Sequence, residues 1–267
     1  MWPTDPEALS LVQEQLAART PELWPLPVSG DRNGSDRNGG ARSLTAQPAT
    51  VSPGRVQLRD VRVGACRVCF RRGLTGPGAA GDPAWVASVV MHDDEVLDLR
   101  TFRSVAAAAY LPGLLALRIG RLMEDAVRSL DRAPDVLLID ATARDHPRRA
   151  GLALHLGAQL GLPTIGITRR PLVARGTWPD EPRGATSALR IGNEVVACRM
   201  RTGPGARPLV VHPGWRVDLE TAIAVVLGTS TRHRTPEPLR QARRAAREAR
   251  QAEESRDGDA HRPGPFW

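Results

Sequence analysis

The sequence predicts an α/β fold in which a mixed sheet is flanked by helices. Two short apolar runs, at residues 136–139 and 163–167, are typical of strands that are buried on both faces of a parallel sheet. Between them, residues 151–160 have the apolar spacing of a helix. Three strand-like runs precede this unit and a smaller β-rich segment follows it. This order of elements fits a parallel sheet with an antiparallel extension.

The N-terminal segment predicts a short helix followed by a linker. Residues 4–19 open with the capping sequence Thr-Asp-Pro-Glu and then place apolar residues at helical spacing. From residue 20 to 53 the composition changes to Pro, Gly, Ser and Asn, and the tetrapeptide Asp-Arg-Asn-Gly occurs twice. We expect residues 20–53 to be a disordered linker.

Regular structure resumes with three strand-like runs at residues 56–70, 85–91 and 95–102. The His-Asp-Asp sequence at 92–94 is typical of a hairpin turn, so these runs predict an antiparallel meander. The Gly- and Pro-rich residues 73–83 read as an exposed loop. A helix is expected to follow, from Leu114 to about residue 130.

The C-terminal part predicts a second, smaller set of elements. Residues 188–201 form an expected hairpin that turns at Gly-Asn, and residues 208–212 form one more strand. Asp218 is a helix cap for a helix that ends near residue 227. Residues 237–254 form an Arg- and Ala-rich helix, which we interpret as a solvated face with nonspecific phosphate attraction as a second possibility. The last dozen residues are expected to be disordered.

These segments predict four parts: an N-terminal helix, a linker, one main domain and an Arg-rich helical and disordered tail. Their boundaries are 1–19, 20–53, 54–241 and 242–267. A chain of 267 residues with 41% hydrophobic residues is long enough for one sizeable α/β core.

The charge of the chain points to a polyanionic partner. The formal net charge is +8, and every positive side chain is Arg because the sequence contains no Lys. Nucleic acid is the simplest such partner. Arg binds phosphate with two hydrogen bonds and does not lose its proton, which excludes chemistry that needs a neutral amine.

Three cysteines argue against a disulfide framework and fit a reducing compartment. Cys66 and Cys69 have the spacing of half a zinc site, but on a strand they point to opposite faces, so we interpret them as buried structural residues. No apolar run approaches the length of a membrane span, and the N-terminus lacks a secretory signal. We expect a cytoplasmic protein without a membrane partner.

Asp140 is the central candidate site residue. It ends a strand buried on both faces, and open α/β sheets bind ligands at the carboxyl ends of such strands. His146 and Arg148 follow in a basic loop. An acid beside His and Arg suggests a metal site or a phosphate site.

Several motifs, in this order along the chain, resemble the endonuclease V family. They are Tyr-Leu-Pro-Gly-Leu-Leu-Ala-Leu-Arg at 110–118, Asp140 with Asp-His-Pro-Arg-Arg-Ala-Gly at 145–151, Pro-Thr-Ile-Gly-Ile at 163–167, Arg-Thr at 201–202, Pro-Gly at 213–214 and Pro-Glu-Pro-Leu-Arg at 236–240. The resemblance implies a ribonuclease-H-like fold and a DNA-repair enzyme that cuts nucleic acid near deaminated adenine (inosine) with Mg²⁺. It also implies a partner, DNA or RNA containing inosine, and we expect a monomer.

The catalytic set departs from that family. The family's metal ligands are an Asp on the first strand, a Glu after the Tyr-x-Pro-Gly segment and the Asp of the central strand. The corresponding positions are Cys66 or Arg67, Ile119 and Asp140, so one carboxylate is left. The family's catalytic lysine and histidine match Arg169 and Trp215.

These replacements predict a weak or inactive nuclease. Mg²⁺ is held by oxygen ligands in near-octahedral geometry, and two-metal cleavage needs carboxylates that hold two ions ~3.5–4 Å apart. Compensation would have to come from Asp145 or His212, which we interpret instead as a solvated loop acid and a strand-end histidine. Asp60 and Glu124 do not look like replacements. The rival hypotheses are an active deoxyinosine endonuclease with a rebuilt metal site and a scaffold that binds no nucleic acid.

The resemblance preserves more of the binding surface than of the chemistry. Tyr110, Leu111 and Pro112 match a wedge that holds a duplex open, and inserting such groups offsets the cost of unstacking a base. Other positions match the family's base pocket: Gly113, Leu115, His146 and Leu152, with Ala141 in place of a glycine. Two arginines, Arg148 and Arg169, are expected to contact phosphate.

Overall fold

The computed structural model describes residues 2–27, 58 and 60–260, and for residues 257–260 it describes the backbone only. Five helices and eight strands lie in this part of the chain. In order they are α1 (Pro6–Ala17), β1 (Arg62–Phe70), β2 (Pro83–His92), β3 (Glu95–Val105), α2 (Leu115–Arg128), β4 (Val136–Ile139), α3 (Leu152–Leu160), β5 (Thr164–Thr168), β6 (Thr186–Ile191), β7 (Glu194–Met200), β8 (Leu209–Pro213), α4 (Leu219–Thr229) and α5 (Glu237–Ala260).

The eight strands form one mixed sheet in the order β3-β2-β1-β4-β5-β8-β7-β6. The three central strands β1, β4 and β5 are parallel, and every other neighbouring pair is antiparallel. The predicted α/β class, the meander and the Gly-Asn hairpin are confirmed. Connections through α2 and α3 join the parallel strands, as parallel pairs require a crossover.

Helices cover both faces of the sheet, so the central strand is buried on both sides as predicted. The alternation of side chains along β4 divides its residues between two apolar clusters. Leu137 and Ile139 pack with α1, α2 and α3, whereas Val136 and Leu138 pack with α4 and the start of α5. All four side chains are fully buried.

The Arg- and Ala-rich helix α5 is part of the packed domain, and the expectation of a solvated face is wrong for its inner side. Ala242 and Ala246 are fully buried, and Ala246 packs with Ala87 of β2. Cys69 lies against the carbonyl oxygen of Ala246, with 3.0 Å between the sulfur and the oxygen. Alanine side chains let the helix approach the sheet closely, while the arginines extend to its edges.

The cysteines of β1 lie on opposite faces of the sheet, as predicted. Cys66 is fully buried on the α1–α3 side, and Cys69 faces α5. Burial raises the pKa of the Cys66 thiol to about 12, so it stays protonated. All three cysteines are free thiols.

The N-terminus is anchored by an indole ring that the sequence did not single out. Trp2 packs over the α-carbon of Gly120, where a side chain would meet the ring at 2.5 Å. Its indole N–H donates to a carboxylate oxygen of Glu124 at 2.6 Å, and its ring lies 4.3 Å from that of His155. This contact fastens α1 across α2 and α3.

Two predictions fall on residues whose structure is not described. Of the expected linker, only residues 20–27 are described, and they follow an irregular path on which the backbone N–H of Trp24 donates to the carbonyl of Arg216. Residues 28–53 and 261–267 lie outside the described residues. Residues 256–260, which were expected to be disordered, continue helix α5, so the prediction is wrong for them. None of the described helices has the length and apolar character needed to cross a bilayer.

Replacing Trp2 with alanine should lower the free energy of unfolding by about 3 kcal/mol, because it removes a buried aromatic ring and leaves Glu124 without its indole donor. Chemical denaturation measures this loss. Trp178→Ala is the control, since Trp178 is 61% exposed, and it should change the stability by less than about 0.5 kcal/mol. Equal effects of the two substitutions would contradict the anchoring role of Trp2.

Candidate functional site

Asp140 lies directly after β4, at the carboxyl end of the central strand where the sequence places it. Side chains alternate between the two faces of a strand, so Asp140 lies on the same face as Val136 and Leu138, which is the face covered by α4 and α5. Its side chain is 31% exposed. The carboxylate is therefore at the surface of the sheet edge, beneath helix α5.

Two guanidinium groups hold the Asp140 carboxylate. Arg67 of β1 forms an ion pair with it, and both side chains are about one-third exposed. Arg243 of α5 approaches the same carboxylate oxygen at 3.6 Å. The contact with Arg67 follows from the parallel register, because Cys66 is the partner of Ile139 and the next residues of the two strands are neighbours.

The register also separates the two candidates for the first-strand position. Cys66 points away from Asp140 and is fully buried among apolar side chains on the α1–α3 side. Arg67 points toward Asp140. The residue beside the central aspartate is thus a cation.

The other positions that the family resemblance associates with catalysis have joined the apolar core. Ile119 belongs to the cluster on the α1–α3 side, together with Cys66 and Ala141, and Trp215 packs against this cluster. The backbone N–H of Trp215 donates to the hydroxyl of Thr164 at 2.9 Å. These side chains offer no oxygen ligand.

The donor set around Asp140 does not fit Mg²⁺. That ion needs several oxygen ligands, usually with at least one or two carboxylates. Here the one carboxylate is already engaged by Arg67 and Arg243. Across the described residues, no three His, Cys, Asp or Glu side chains converge in a way that could hold a metal ion.

Positive charge accumulates around the Asp140 carboxylate. Burial and the charges of Arg243, Arg247 and Arg169 lower the pKa of Arg67 to about 10, which still leaves it protonated at neutral pH. Burial and the charges of Arg169 and Arg247 likewise lower the pKa of Arg243. We name these four residues the arginine cluster: Arg67, Arg169, Arg243 and Arg247.

Asp145 is a structural residue, and its interpretation as a solvated loop acid is wrong. Its side chain is fully buried. The carboxylate accepts backbone N–H groups from Leu172, Val173 and Ala174 at 2.7–2.8 Å. Three such bonds fasten the loop after β4 to the loop after β5 and leave this carboxylate no role as a metal ligand.

The remaining candidates for a rebuilt site are engaged elsewhere or lie away from Asp140. His212 of β8 is fully buried, and its Nε2 lies 2.9 Å from the hydroxyl of Thr168. Glu124 binds Trp2 and Arg128. Asp60 is exposed in a turn before β1 and has a positive φ of 65°.

The matched wedge is a surface feature. Tyr110, Leu111 and Pro112 are all exposed, and Tyr110 and Leu111 are 39% and 42% accessible. The backbone N–H of Tyr110 donates to the carbonyl of Gly78, which joins the wedge to the 73–83 loop. Apolar side chains at this degree of exposure are available for contact with a partner.

The structure brings Gly113, His146 and Arg148 together next to this wedge. His146 Nε2 lies 3.0 Å from the carbonyl oxygen of Gly113, and the backbone N–H of Arg148 donates to His146 Nδ1. Gly113 has a φ of 76°, a left-handed backbone conformation that favours glycine. A side chain there would lie at ordinary contact distance, 3.6 Å, from the His146 ring, so the backbone conformation is what calls for glycine.

Leu115 and Leu152 are less accessible than the wedge. Leu115 is partly buried against the α1–α3 cluster, and Leu152 is 4% exposed within it. Arg118, which precedes Ile119, is an anchor that the sequence did not reveal. Its guanidinium donates to the carbonyls of Ala79 and Ala108 and pairs with Asp82, so it ties the 73–83 loop to the segment before the wedge.

Sequence reasoning also missed Arg243 and Arg247 as site residues. They are four residues apart on α5, and Arg240 lies three residues before Arg243, so all three share one face of the helix. The sequence shows the spacing of the arginines and the alanines between them. It does not show which strand edge the arginine face of the helix covers.

A family model described as Endonuclease V matches residues 75–244. The endonuclease V of Roseiflexus sp. strain RS-1 is 43% identical over 167 residues, which cover 62% of this chain and 75% of the relative. The crystal structure of endonuclease V from Streptomyces avermitilis has a TM-score of 0.74 and 29% identity, covering 95% of this chain and 96% of that one. A Ciona intestinalis endonuclease V, solved with DNA containing an inosine, has a TM-score of 0.59 and 22% identity. The match covers 72% of this chain and 87% of that one.

The sheet order and the acid at the end of its central strand define a ribonuclease-H-like protein. Within that class, the match of the family model over most of the chain decides the family. The chain belongs to the endonuclease V family.

Acid should destabilise the fold through its buried histidines. Burial lowers the pKa of His155 and of His212 to about 4, whereas an unfolded chain binds the proton near 6.5. Stability is therefore full above pH 6.5 and falls as the pH drops toward 4, by on the order of 2 kcal/mol per histidine at pH 5. Urea denaturation at pH 7.5 and pH 5 measures the loss.

The control for this pH dependence is a variant in which one buried histidine cannot titrate. His155→Gln should lose about 2 kcal/mol less than the parent protein between the two pH values. Carboxylates bind protons mainly below about pH 4.5, so the change in stability between pH 7.5 and pH 5 comes from the histidines. An equal loss in the variant would show that His155 is not the titrating group.

Proposed function

We propose that this protein binds inosine-containing nucleic acid without Mg²⁺-dependent cleavage. The observation that carries the proposal is the ion pair between Arg67 and Asp140. The guanidinium of Arg67 binds Asp140, which is the one acid of this chain that matches the family's metal ligands. The protein is then a pseudoenzyme of the DNA-repair lineage that keeps the fold and a binding surface.

Electrostatics opposes a divalent cation beside Asp140. A +2 ion placed about 4 Å from a guanidinium is repelled by roughly 8 kcal/mol at an effective dielectric constant of 20. Arg243 adds further repulsion, and an ion bound to Asp140 would also have to displace the ion pair that the carboxylate forms with Arg67. The losses at positions 66, 119 and 215 remove the ligands and the proton-transfer group that would otherwise help.

Binding is supported by the surface next to this site. The exposed wedge, the His146–Gly113 contact and Arg148 lie around one loop that begins at Asp140. The formal net charge of +8 favours a polyanion. The Ciona intestinalis protein was solved with inosine-containing DNA, and we extend that class of ligand, DNA or RNA, to this chain.

The proposal also includes a monomeric protein in the cytoplasm, as expected from the sequence. Monomeric binding is consistent with a wedge and a base pocket that are both built from this one chain. The alternative is an active endonuclease with a rebuilt site. Asp145 and Glu124 are already engaged, and Asp60 lies before β1, at the opposite end of that strand from Arg67. The same experiment decides this alternative.

We expect no strand scission of an inosine-containing duplex by the protein with Mg²⁺ or Mn²⁺. The amount of cleaved product should equal that of the Asp140→Ala variant. Fluorescence anisotropy in a buffer with a metal chelator should show that both proteins bind the duplex. The measurement is gel analysis of a labelled duplex, with the Roseiflexus relative as the positive control. Asp140-dependent nicking would overturn the proposal, and so would an absence of binding at low salt.

A variant with restored acids tests the reason for the inactivity. Ile119→Glu combined with either Cys66→Asp or Arg67→Asp returns carboxylates to the family's positions. Cleavage that appears only in one combination, and only with metal, would identify the first-strand position and confirm that missing ligands are the cause. A matched control pairs Ile119→Gln with Cys66→Asn or Arg67→Asn, which supplies no carboxylate.

A further inference from the structure

We propose that the arginine cluster is a metal-free binding site for one backbone phosphate of the nucleic acid. It takes a phosphodiester directly between guanidinium groups, beside Asp140, the one acid that matches the family's metal ligands. The inference rests on the proposed function, because the phosphate belongs to the bound nucleic acid.

The cluster is assembled from three different elements of the fold. Arg67 comes from β1, Arg169 from the loop directly after β5, and Arg243 and Arg247 from α5. β1 and β5 flank β4 in the sheet, so their carboxyl ends meet on either side of Asp140. Helix α5 crosses above this edge and adds its two arginines.

Charge in the cluster is strongly unbalanced. Arg67 and Arg243 contact the carboxylate of Asp140, and Arg169 and Arg247 lie near enough to lower the pKa of both, so four guanidinium groups share one carboxylate. Such an excess is costly for an empty site, since each arginine opposes the charge of its neighbours. A bound anion relieves the repulsion, and Arg forms paired hydrogen bonds with phosphate oxygens.

The cluster has donors available to a ligand. Arg169 and Arg247 are exposed, and within the described residues neither side chain forms an ion pair or a hydrogen bond. Arg67 and Arg243 are 30% and 25% exposed and share the one carboxylate. By contrast, other arginines of α5 are engaged by acids, as Arg240 is by Glu237 and Arg244 by Glu248.

The site is continuous with the proposed nucleic-acid surface. The loop that starts at Asp140 reaches His146 and Arg148, which contact the base of the wedge at Gly113. The same loop is fastened through Asp145 to residues 172–174, three residues beyond Arg169. The loop links the base of the wedge to the sheet edge where the cluster lies, and we expect one bound strand to reach both. This continuity favours a backbone phosphate over a free phosphate ion.

The test uses the two exposed arginines, because their replacement spares the ion pair between Arg67 and Asp140. Arg169→Gln combined with Arg247→Gln should raise the dissociation constant for an inosine-containing duplex about tenfold in chelator. It should also make the dependence of the logarithm of the binding constant on the logarithm of salt concentration shallower by roughly 1 to 2, as expected when one or two phosphate contacts are lost. Anisotropy titrations over a salt series give both quantities.

The matched control is Arg121→Gln combined with Arg244→Gln. It removes the same total charge from two exposed arginines that already pair with acids, Asp125 and Glu248. The control should change the dissociation constant by less than about threefold. If the cluster variant and the control behave alike, the phosphate site is wrong while binding by the parent protein still supports the proposed function. If the parent protein binds no duplex at low salt, both proposals fail.

Asp140→Asn gives a prediction of opposite sign. Removing the carboxylate frees Arg67 and Arg243 for the phosphate, so binding in chelator should tighten several-fold. Weaker binding that appears only with Mg²⁺ present would assign Asp140 to a metal and overturn the inference. Inorganic phosphate should compete with the duplex better than chloride does at equal ionic strength in the parent protein, and this preference should be lost in the variant that carries Arg169→Gln and Arg247→Gln. Equal competition by the two ions in the parent protein would contradict a phosphate site.

Discussion

The ion pair between Arg67 and Asp140 is the interaction on which the properties of the site depend. It is set by the parallel pairing of β1 with β4, which makes residues 67 and 140 neighbours at the carboxyl edge of the sheet. Whatever side chain stands at position 67 decides the charge beside the central acid. A carboxylate there would attract a cation, whereas arginine satisfies the acid internally and turns the edge toward anions.

The replacements on the opposite face of the sheet are consistent with this change. Cys66, Ile119 and Trp215 bring sulfur, an aliphatic group and an indole to positions that the family resemblance associates with polar groups, and all three pack with the α1–α3 cluster. Buried apolar groups contribute to stability, while an unpaired buried carboxylate would cost several kcal/mol. In a protein that binds no metal at these positions, such apolar side chains would stabilise the same fold. Trp2 extends that cluster to the N-terminus.

The sequence predicted the sheet more completely than the site. Uninterrupted apolar runs identified β4 and β5, and the position of Asp140 followed from the end of β4, because both depend on local pattern. The role of Asp145 could not be predicted, since its partners are backbone N–H groups 27 to 29 residues away. Helix α5 was misjudged for a related reason. Its arginines gave it a polar composition, and the burial of Ala242 and Ala246 depends on a sheet surface that no local pattern reveals.

Replacing a bound cation with arginine also changes how a site responds to its surroundings. A metal site requires the ion to be present and its ligands to be deprotonated, so its occupancy varies with metal concentration and pH. The pKa of Arg67, lowered to about 10 by burial and neighbouring arginines, still keeps its charge throughout the physiological range. The charge is therefore a fixed part of the fold. It can hold a phosphate, but it cannot activate a water for attack, because guanidinium neither accepts a proton nor lowers the pKa of a water as a bound metal does. The proposed binding without scission would be the chemical consequence of that exchange.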